Sequence, residues 1–394
     1  MQTFKEFMKK YFLPLIACFL VVQTGFSQTE PVRPISTAVP FLGIPADARS
    51  SAMADQGIAT PVDAFSQQWN PAKFAFSEVK QGIGFGYTPY LRELVDDINL
   101  GTLTYFNRIN ERSSFSGSLR YFGLGGVELR QTAEQVGRDV EPNELAVDVS
   151  YALRLSENFS MAVTGRYLRS DLRIPSGIQD ASAANSFAAD LHAFYRGPVK
   201  AYKDFDGRWR VGAAITNIGP KISYDNEFDN FIPTTFKIGG GFDFILDASN
   251  RIGVYVEANK LLVPTPPEIP EDATNEERQA LAEEYRNQSQ FGAIFSSWND
   301  APDGLSEEFK EIIWSLGAEY WYEDSFAIRA GYFYEAPEKG FRQYATFGFG
   351  FKYSSVIIDA SYLFSTAQGV TNPLEGTLRF SLSFNIGDKA YVEF

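Results

Sequence analysis

Cysteine is all but missing from this sequence: the single copy, Cys18, lies in an N-terminal apolar stretch. Residues 1–27 read as an export signal, with Lys5, Lys9 and Lys10 ahead of an apolar core from Phe12 to Val22. Gly25-Phe26-Ser27 supplies a small-residue cleavage site before Gln28. Leu15-Ile16-Ala17-Cys18 forms a rival lipoprotein box, but the apolar core runs on past it, which favours ordinary cleavage. The mature chain then has no cysteine, which excludes a disulfide, a thiol nucleophile and a thiolate metal site.

Histidine is nearly as scarce. His192 stands alone, and any Ser-His hydrolase would have to use it as general base. It shares a strand face with Asp190 and Phe194, opposite Phe187, Leu191 and Tyr195, and is expected to point inward. No metal-ligand spacing occurs, and no GxGxxG follows a strand and opens a helix, so the sequence offers neither an enzyme nor a cofactor site. Positive charge is short as well, with 35 Lys and Arg against 49 Asp and Glu. Without residues 1–27 the counts are 32 and 48, a net charge of −16, which argues against nucleic acid as a partner. No apolar run of about 18 residues follows the signal, which excludes a helical membrane protein. No linker divides the chain, and aromatics reach 15%. An exported chain that still spans a membrane must then be a closed β-barrel, because only helices and barrels satisfy every backbone group in lipid.

What is present agrees with that. Leu378, Phe380, Leu382, Phe384 and Ile386 alternate with Arg379, Ser381, Ser383 and Asn385. Leu145, Val147, Val149, Tyr151 and Leu153 flank Asp148, Ser150 and Arg154, and similar period-two runs recur along the chain. Apolar residues facing lipid with polar ones in a lumen give this pattern. The expected fold class is all-β, an outer-membrane barrel of about fourteen antiparallel strands. The segments are 81–89, 97–109, 113–124, 144–155, 158–170, 185–196, 208–218, 235–247, 251–262, 312–322, 325–335, 342–353, 354–364 and 376–386. Alternate connections are tight, and the others are long, which places both termini in the periplasm and the long loops outside. Tyr87, Tyr90, Trp209, Tyr224, Trp314, Trp321 and Tyr322 sit near strand ends, as interfacial girdles do. Arg329, Arg379, Asp243 and Glu319 are expected lumen charges that pair with whatever fills the barrel.

Residues 38–76 follow neither pattern. They are rich in Ala, Pro, Asp and Ser, have no strand period, and carry too few charges for a solvated tail. Such a segment ahead of a barrel is buried only by folding into its lumen, so residues 28–79 are expected to be a plug and 80–394 the barrel. Gly57-Ile58-Ala59, Asp63-Ala64-Phe65-Ser66 and Asn70-Pro71-Ala72 at this spacing resemble the hatch of FadL-type outer-membrane proteins. With Ala38-Val39-Pro40-Phe41-Leu42 and Asp47-Ala48-Arg49 the block is closer still to the PorV family, FadL-like barrels of the type IX secretion system. The resemblance implies a protein that binds the C-terminal signal domains of secreted cargo at a large translocon barrel. It further implies delivery to a cell-surface attachment complex containing a sortase-like protein, in the lipid and lipopolysaccharide of the outer membrane. A FadL-like channel for hydrophobic small molecules is the alternative. A minor third reading is a part in lipopolysaccharide deacylation.

The connection 263–311 stands apart. Pro264, Pro266, Pro267 and Pro270 form a stiff extended lead, and Thr274 with Glu277 suits a capping box for a helix to about Arg286. The segment holds twelve acidic and three basic residues, a net −9. Phe291, Phe295 and Trp298 follow the helix and are the candidate partner-binding residues, since exposed aromatics anchor interfaces.

Overall fold

The computed structural model describes residues 33–92, 95, 97–130, 137–172, 175–176, 179–180, 183–224, 229–270, 272–367 and 372–389. The expected signal and its cleavage site lie outside the described residues, as does Phe394. Fourteen long strands form one ring. They are β1 Val79–Pro89, β2 Ile98–Arg108, β3 Ser113–Leu124, β4 Asn143–Arg154, β5 Phe159–Asp171, β6 Ala184–Arg196 and β7 Asp206–Ile218. There follow β8 Thr235–Ile245, β9 Asn250–Leu261, β10 Ile312–Tyr322, β11 Phe326–Tyr334, β12 Gln343–Tyr353, β13 Val356–Ser365 and β14 Leu378–Lys389. Each pairs antiparallel with the next, and β1 closes on β14 with Phe85 opposite Leu382. Every segment expected from the alternation is found, with ends moved by three residues at most.

The side-chain period explains the ring. Phe187, Val149, Phe349 and Ile358 are exposed on the outer surface, while their strand neighbours Asp148, Ser150, Asp190 and Asp359 are buried in the lumen. An apolar outside and a polar inside suit a barrel in lipid, where closure removes the unpaired edges. Among the described residues no helix is long and apolar enough to cross a membrane. Tight turns join β2–β3, β4–β5, β8–β9, β10–β11 and β12–β13. Glu323 and Asp324, in the three-residue link from β10 to β11, both have positive φ, and Ser325 N–H closes the turn on Tyr322 O at 3.0 Å. On the same side, the longer link between β6 and β7 adds the short strand Lys200–Ala201, paired with Asp206 and Gly207.

Parity also corrects the girdle. Tyr87, Trp209, Trp314 and Tyr322 face outward, but Trp321 does not. It has the odd-number parity of Ser315 and Glu319 on β10, so it is buried in the lumen with Arg329 and Arg251 near its ring. Tyr90 likewise packs edge-on against Phe122, and the Tyr224 hydroxyl donates to Ser170 Oγ. Position near a strand end does not fix direction; register does.

Candidate functional site: the filled lumen and the long loop

Residues 38–77 lie inside the ring and are almost all buried. Their proline, serine and asparagine content breaks the backbone into short turns, two of them started by a side-chain cap. Asp47 accepts from Ser50 N–H at 2.7 Å and starts the turn Ala48–Ser51. Asn70 accepts from Ala72 N–H at 3.2 Å and starts Pro71–Phe76, with Pro71 in the first position where no N–H is needed. Turns this short leave many backbone groups unpaired, and the lumen residues of the strands complete them.

The motif residues divide that work. Gly57 N–H and Ile58 N–H both donate to Glu257 Oε2 of β9 at 2.9 Å. Asn70 Nδ2 donates to Ile58 O within the plug and to Ala193 O of β6. The Ala64 carbonyl accepts from Thr104 Oγ1 of β2, and the Ala72 carbonyl from Ser160 Oγ of β5. The fully buried Lys73 donates to Gly57 O at 2.8 Å and Thr60 Oγ1 at 3.2 Å. Asp63 pairs with Arg49 at 2.8 Å, and Arg49 spans to Glu319 of β10 through two bonds of 2.9 Å. The motif therefore fastens the plug on β2, β5, β6, β9 and β10 at once. Pro71 serves its own turn.

Gly57 has a second constraint. A β-carbon there would overlap the Trp69 ring, which Asp47 holds through Trp69 Nε1 at 2.7 Å. Gly57→Ala is expected to lower stability by roughly 1–3 kcal/mol through overpacking, without changing the strand content. Urea unfolding of the folded barrel in detergent, followed by circular dichroism, checks it; an unchanged midpoint would contradict the packing described.

The expected lumen charges follow two patterns. Glu319 pairs with the plug, and Arg379 Nη1 lies 3.7 Å from Asp55 Oδ1 of the plug. Arg329 and Asp243 instead pair along the wall: Arg329 with Glu319 and Asp359, and Asp243 with Arg210 and the Tyr255 hydroxyl. For those two, pairing with the plug is corrected, because neighbouring strands place a complementary charge nearer. His192 is buried near Thr164 and 3.7 Å from Asp190, facing inward. Asp190 is otherwise engaged by Arg166 and by Asn217 N–H. Among the described residues no group of three or more His, Cys, Asp or Glu could hold a metal ion.

The long connection folds into three helices: α1 Asn275–Asn287, α2 Gln290–Ser296 and α3 Leu305–Lys310. The capping box is formed, with Thr274 Oγ1 accepting from Glu277 N–H and the Glu277 carboxylate accepting from Thr274 N–H. No residue of α1 is buried, so its acidic surface is solvated. The acidic residues after α2 are different. Glu308 and Glu311 both pair with Lys260 of β9, and Glu307 and Glu311 with Lys339. Arg33, ahead of the plug, pairs with Glu307 and with Asp303. Burial pushes Glu307 upward, but the Lys339 hydrogen bond and the nearby Arg33 hold it below the usual carboxylate range. This part of the loop is an anchor, while α1 carries its acidic residues on an exposed surface.

The three aromatics also separate. Phe295 is 82% exposed and Phe291 54%, four residues apart on one face of α2. Trp298 is half covered, its ring edge-on to Phe236 of β8 at 5.5 Å. The opposite face of α2 is fixed to the barrel rim, where Gln290 bonds Ile232 N–H, Ile232 O and Thr234 Oγ1. The helix α2 escaped the sequence reading because it spans only seven residues, Gln290–Ser296, with Gly292 inside it. Its Ser289 cap, accepting from Gly292 N–H, was the available signal.

A family model described as type IX secretion system protein PorV matches residues 27–268, covering the plug, β1–β9 and the start of the long loop. The chain belongs to the PorV family. The match ends before α1, so Phe291, Phe295 and Trp298 lie outside it. No curated protein matches the chain. Solved structures similar to this PorV-family chain include a FadL homologue of Pseudomonas aeruginosa, at 12% identity and TM-score 0.42, covering 90% of this chain and 99% of that one. The P. putida toluene transporter TodX gives 12% and 0.48, covering 88% and 99%. The Ralstonia pickettii toluene transporter TbuX gives 14% and 0.44, covering 87% and 97%. At such values these likenesses carry no argument about what the chain does. The PorV family and the barrel fold place it in the outer membrane.

Proposed function

We propose that this barrel receives the C-terminal signal domains of type IX cargo at the translocon and carries them to a sortase-like cell-surface attachment complex. Membership of the PorV family supports the system. The observation that carries the docking role is the exposed pair Phe291 and Phe295 on a helix pinned to the barrel rim. Aromatic anchors on a rigid support keep the ordering cost of binding low. On this reading the termini and tight turns lie in the periplasm, and α1–α3 lie at the cell surface. A lumen filled and bonded on many strands favours this over passage of small molecules through the barrel.

The test is a pull-down of the tagged protein from outer membranes solubilised in mild detergent. The translocon barrel and cargo bearing C-terminal domains are expected with it. Recovery of the barrel without either, from cells actively exporting cargo, would contradict the proposal. Altered uptake of a hydrophobic compound on deletion, with export untouched, would instead favour the channel.

A further inference from the structure

We infer that the tight-turn mouth of the barrel is a binding site for a multivalent oxyanion, specifically a phosphate-bearing group. A cavity of about 250 Å³ opens there between the plug and the strand ends. Its lining holds eight cationic side chains and four carboxylates. Behind the lining, Asp243 and Glu319 pair with wall arginines and Asp47 and Glu257 lie near Lys73, so the excess of four belongs to the cavity wall itself. A positive excess in a chain whose mature charge is −16 is a local concentration that the composition does not suggest.

Four of the guanidiniums are grouped. Arg208 and Arg210 come from the same face of β7, Arg196 from the end of β6 and Arg251 from the start of β9. Arg210 lies in the repulsive field of the other three. Three of the four lining carboxylates are already engaged, one of them by Arg251 itself. Asp63 is held by Arg49, Asp359 by Arg329, and Asp324 by Lys352 and Arg251. Beside the same Trp321 ring as Arg251, Arg329 is 1% exposed, and its Nη2 has no hydrogen-bond partner although Nε and Nη1 are used. A buried guanidinium N–H without an acceptor costs free energy, so it marks where an acceptor oxygen belongs.

The grouping selects the ligand. One carboxylate would neutralise one charge, whereas a phosphate monoester carries about −1.5 to −2 with three strong acceptor oxygens. Arginine forks match that geometry in pairs. The volume is about eight times a water's share of liquid, roughly 30 Å³, which accommodates a phosphate and its first attached atoms. The rest of the ligand would extend through the mouth. Phe76 and Trp321 line the cavity and would meet its apolar part. The phosphate can come from a lipid headgroup or a soluble compound, and the experiment separates the two.

The folded full-length protein, in non-ionic detergent at low ionic strength, is titrated calorimetrically with pyrophosphate and with a short-chain phosphatidic acid. The wild type should bind saturably. Arg208→Gln with Arg251→Gln leaves Asp324 with Lys352 and leaves the buried Arg210 and Arg329 pairs in place. That variant should fold and bind about tenfold weaker or worse, the loss expected for a charged hydrogen bond. Lys221→Gln, near Phe231 at the opposite mouth, should bind as wild type does. Binding of pyrophosphate, with or without phosphatidic acid, points to a soluble phosphate compound, and binding of phosphatidic acid alone points to a lipid headgroup. Absence of saturable binding of either probe, or equal affinity in the double variant, overturns the assignment. If the double variant does not fold, Arg251→Gln alone decides, since its side chain is 42% exposed and its loss leaves no buried charge. An unchanged affinity in that variant overturns the assignment equally.

Discussion

Replacing Phe291, Phe295 and Trp298 together by Ser should stop cargo from reaching the cell surface while the barrel still folds and inserts. Phe291 and Phe295 bury little in the protein itself, so their loss costs the fold little. Trp298 gives up its contact with Phe236, worth on the order of 1 kcal/mol beyond area. The buried side of α2, Gln290 and Ala293, is untouched and keeps the helix in place. If two of the three aromatics act as interface anchors at about 2 kcal/mol each, docking weakens roughly a thousandfold. Cargo should then accumulate in the periplasm or remain with the translocon, as cell fractionation and immunoblotting would show. Normal surface attachment by the triple variant would sink the docking role. Cutting residues 263–311 down to a tight turn is a poorer experiment than the sequence suggests. That cut would also remove Glu307, Glu308 and Glu311, stripping Lys260 and Lys339 of their buried partners.

Glu319→Ala should be among the most damaging substitutions in the lumen, lowering stability by roughly 3–5 kcal/mol. Glu319 accepts two bonds from Arg49 of the plug and one of 2.6 Å from Arg329. Without it, two buried guanidiniums share only Asp63 and Asp359, and desolvated charge is left without its partner. Adding Arg49→Met to Glu319→Ala should recover part of the loss, because the excess charge goes with it. Urea midpoints of the three proteins in detergent give the comparison. A single-variant loss below about 1 kcal/mol would mean that this pair does little to hold the plug.

The ring was legible because each strand repeats the same local rule, apolar outward and polar inward, and a two-residue period survives in the letters. The capping box of α1 was legible for the same reason, since Thr274 and Glu277 are three residues apart. Contacts assembled from distant segments were not. Glu307, Glu308 and Glu311 look like more solvated acid until Lys260, Lys339 and Arg33 are brought beside them. Trp321 looked interfacial until its parity with Glu319 turned it inward. The four arginines at the tight-turn mouth come from three strands, each reading singly as an ordinary lumen charge. The plug was recognisable as something buried, yet nothing in Gly57 or Asn70 names Glu257 or Ala193 as its partner.

The plug precedes β1 in the chain, and β1 is the strand on which β14 closes. Arg49 reaches Glu319 across 270 residues of sequence, and Asp55 reaches Tyr344 across 289. These bonds therefore wait until most of the chain is available, whereas the neighbouring hairpins can zip locally. The order of assembly follows. A segment tied to β1 and bonded to β10 and β12 is expected to lie within the curling sheet when its last seam joins, captured rather than threaded. After that, release without unfolding would require parting a seam or drawing the segment out through one end, past the side chains that grip it. Whatever machinery closes the ring thus also decides, once and for each molecule, whether its stopper is inside.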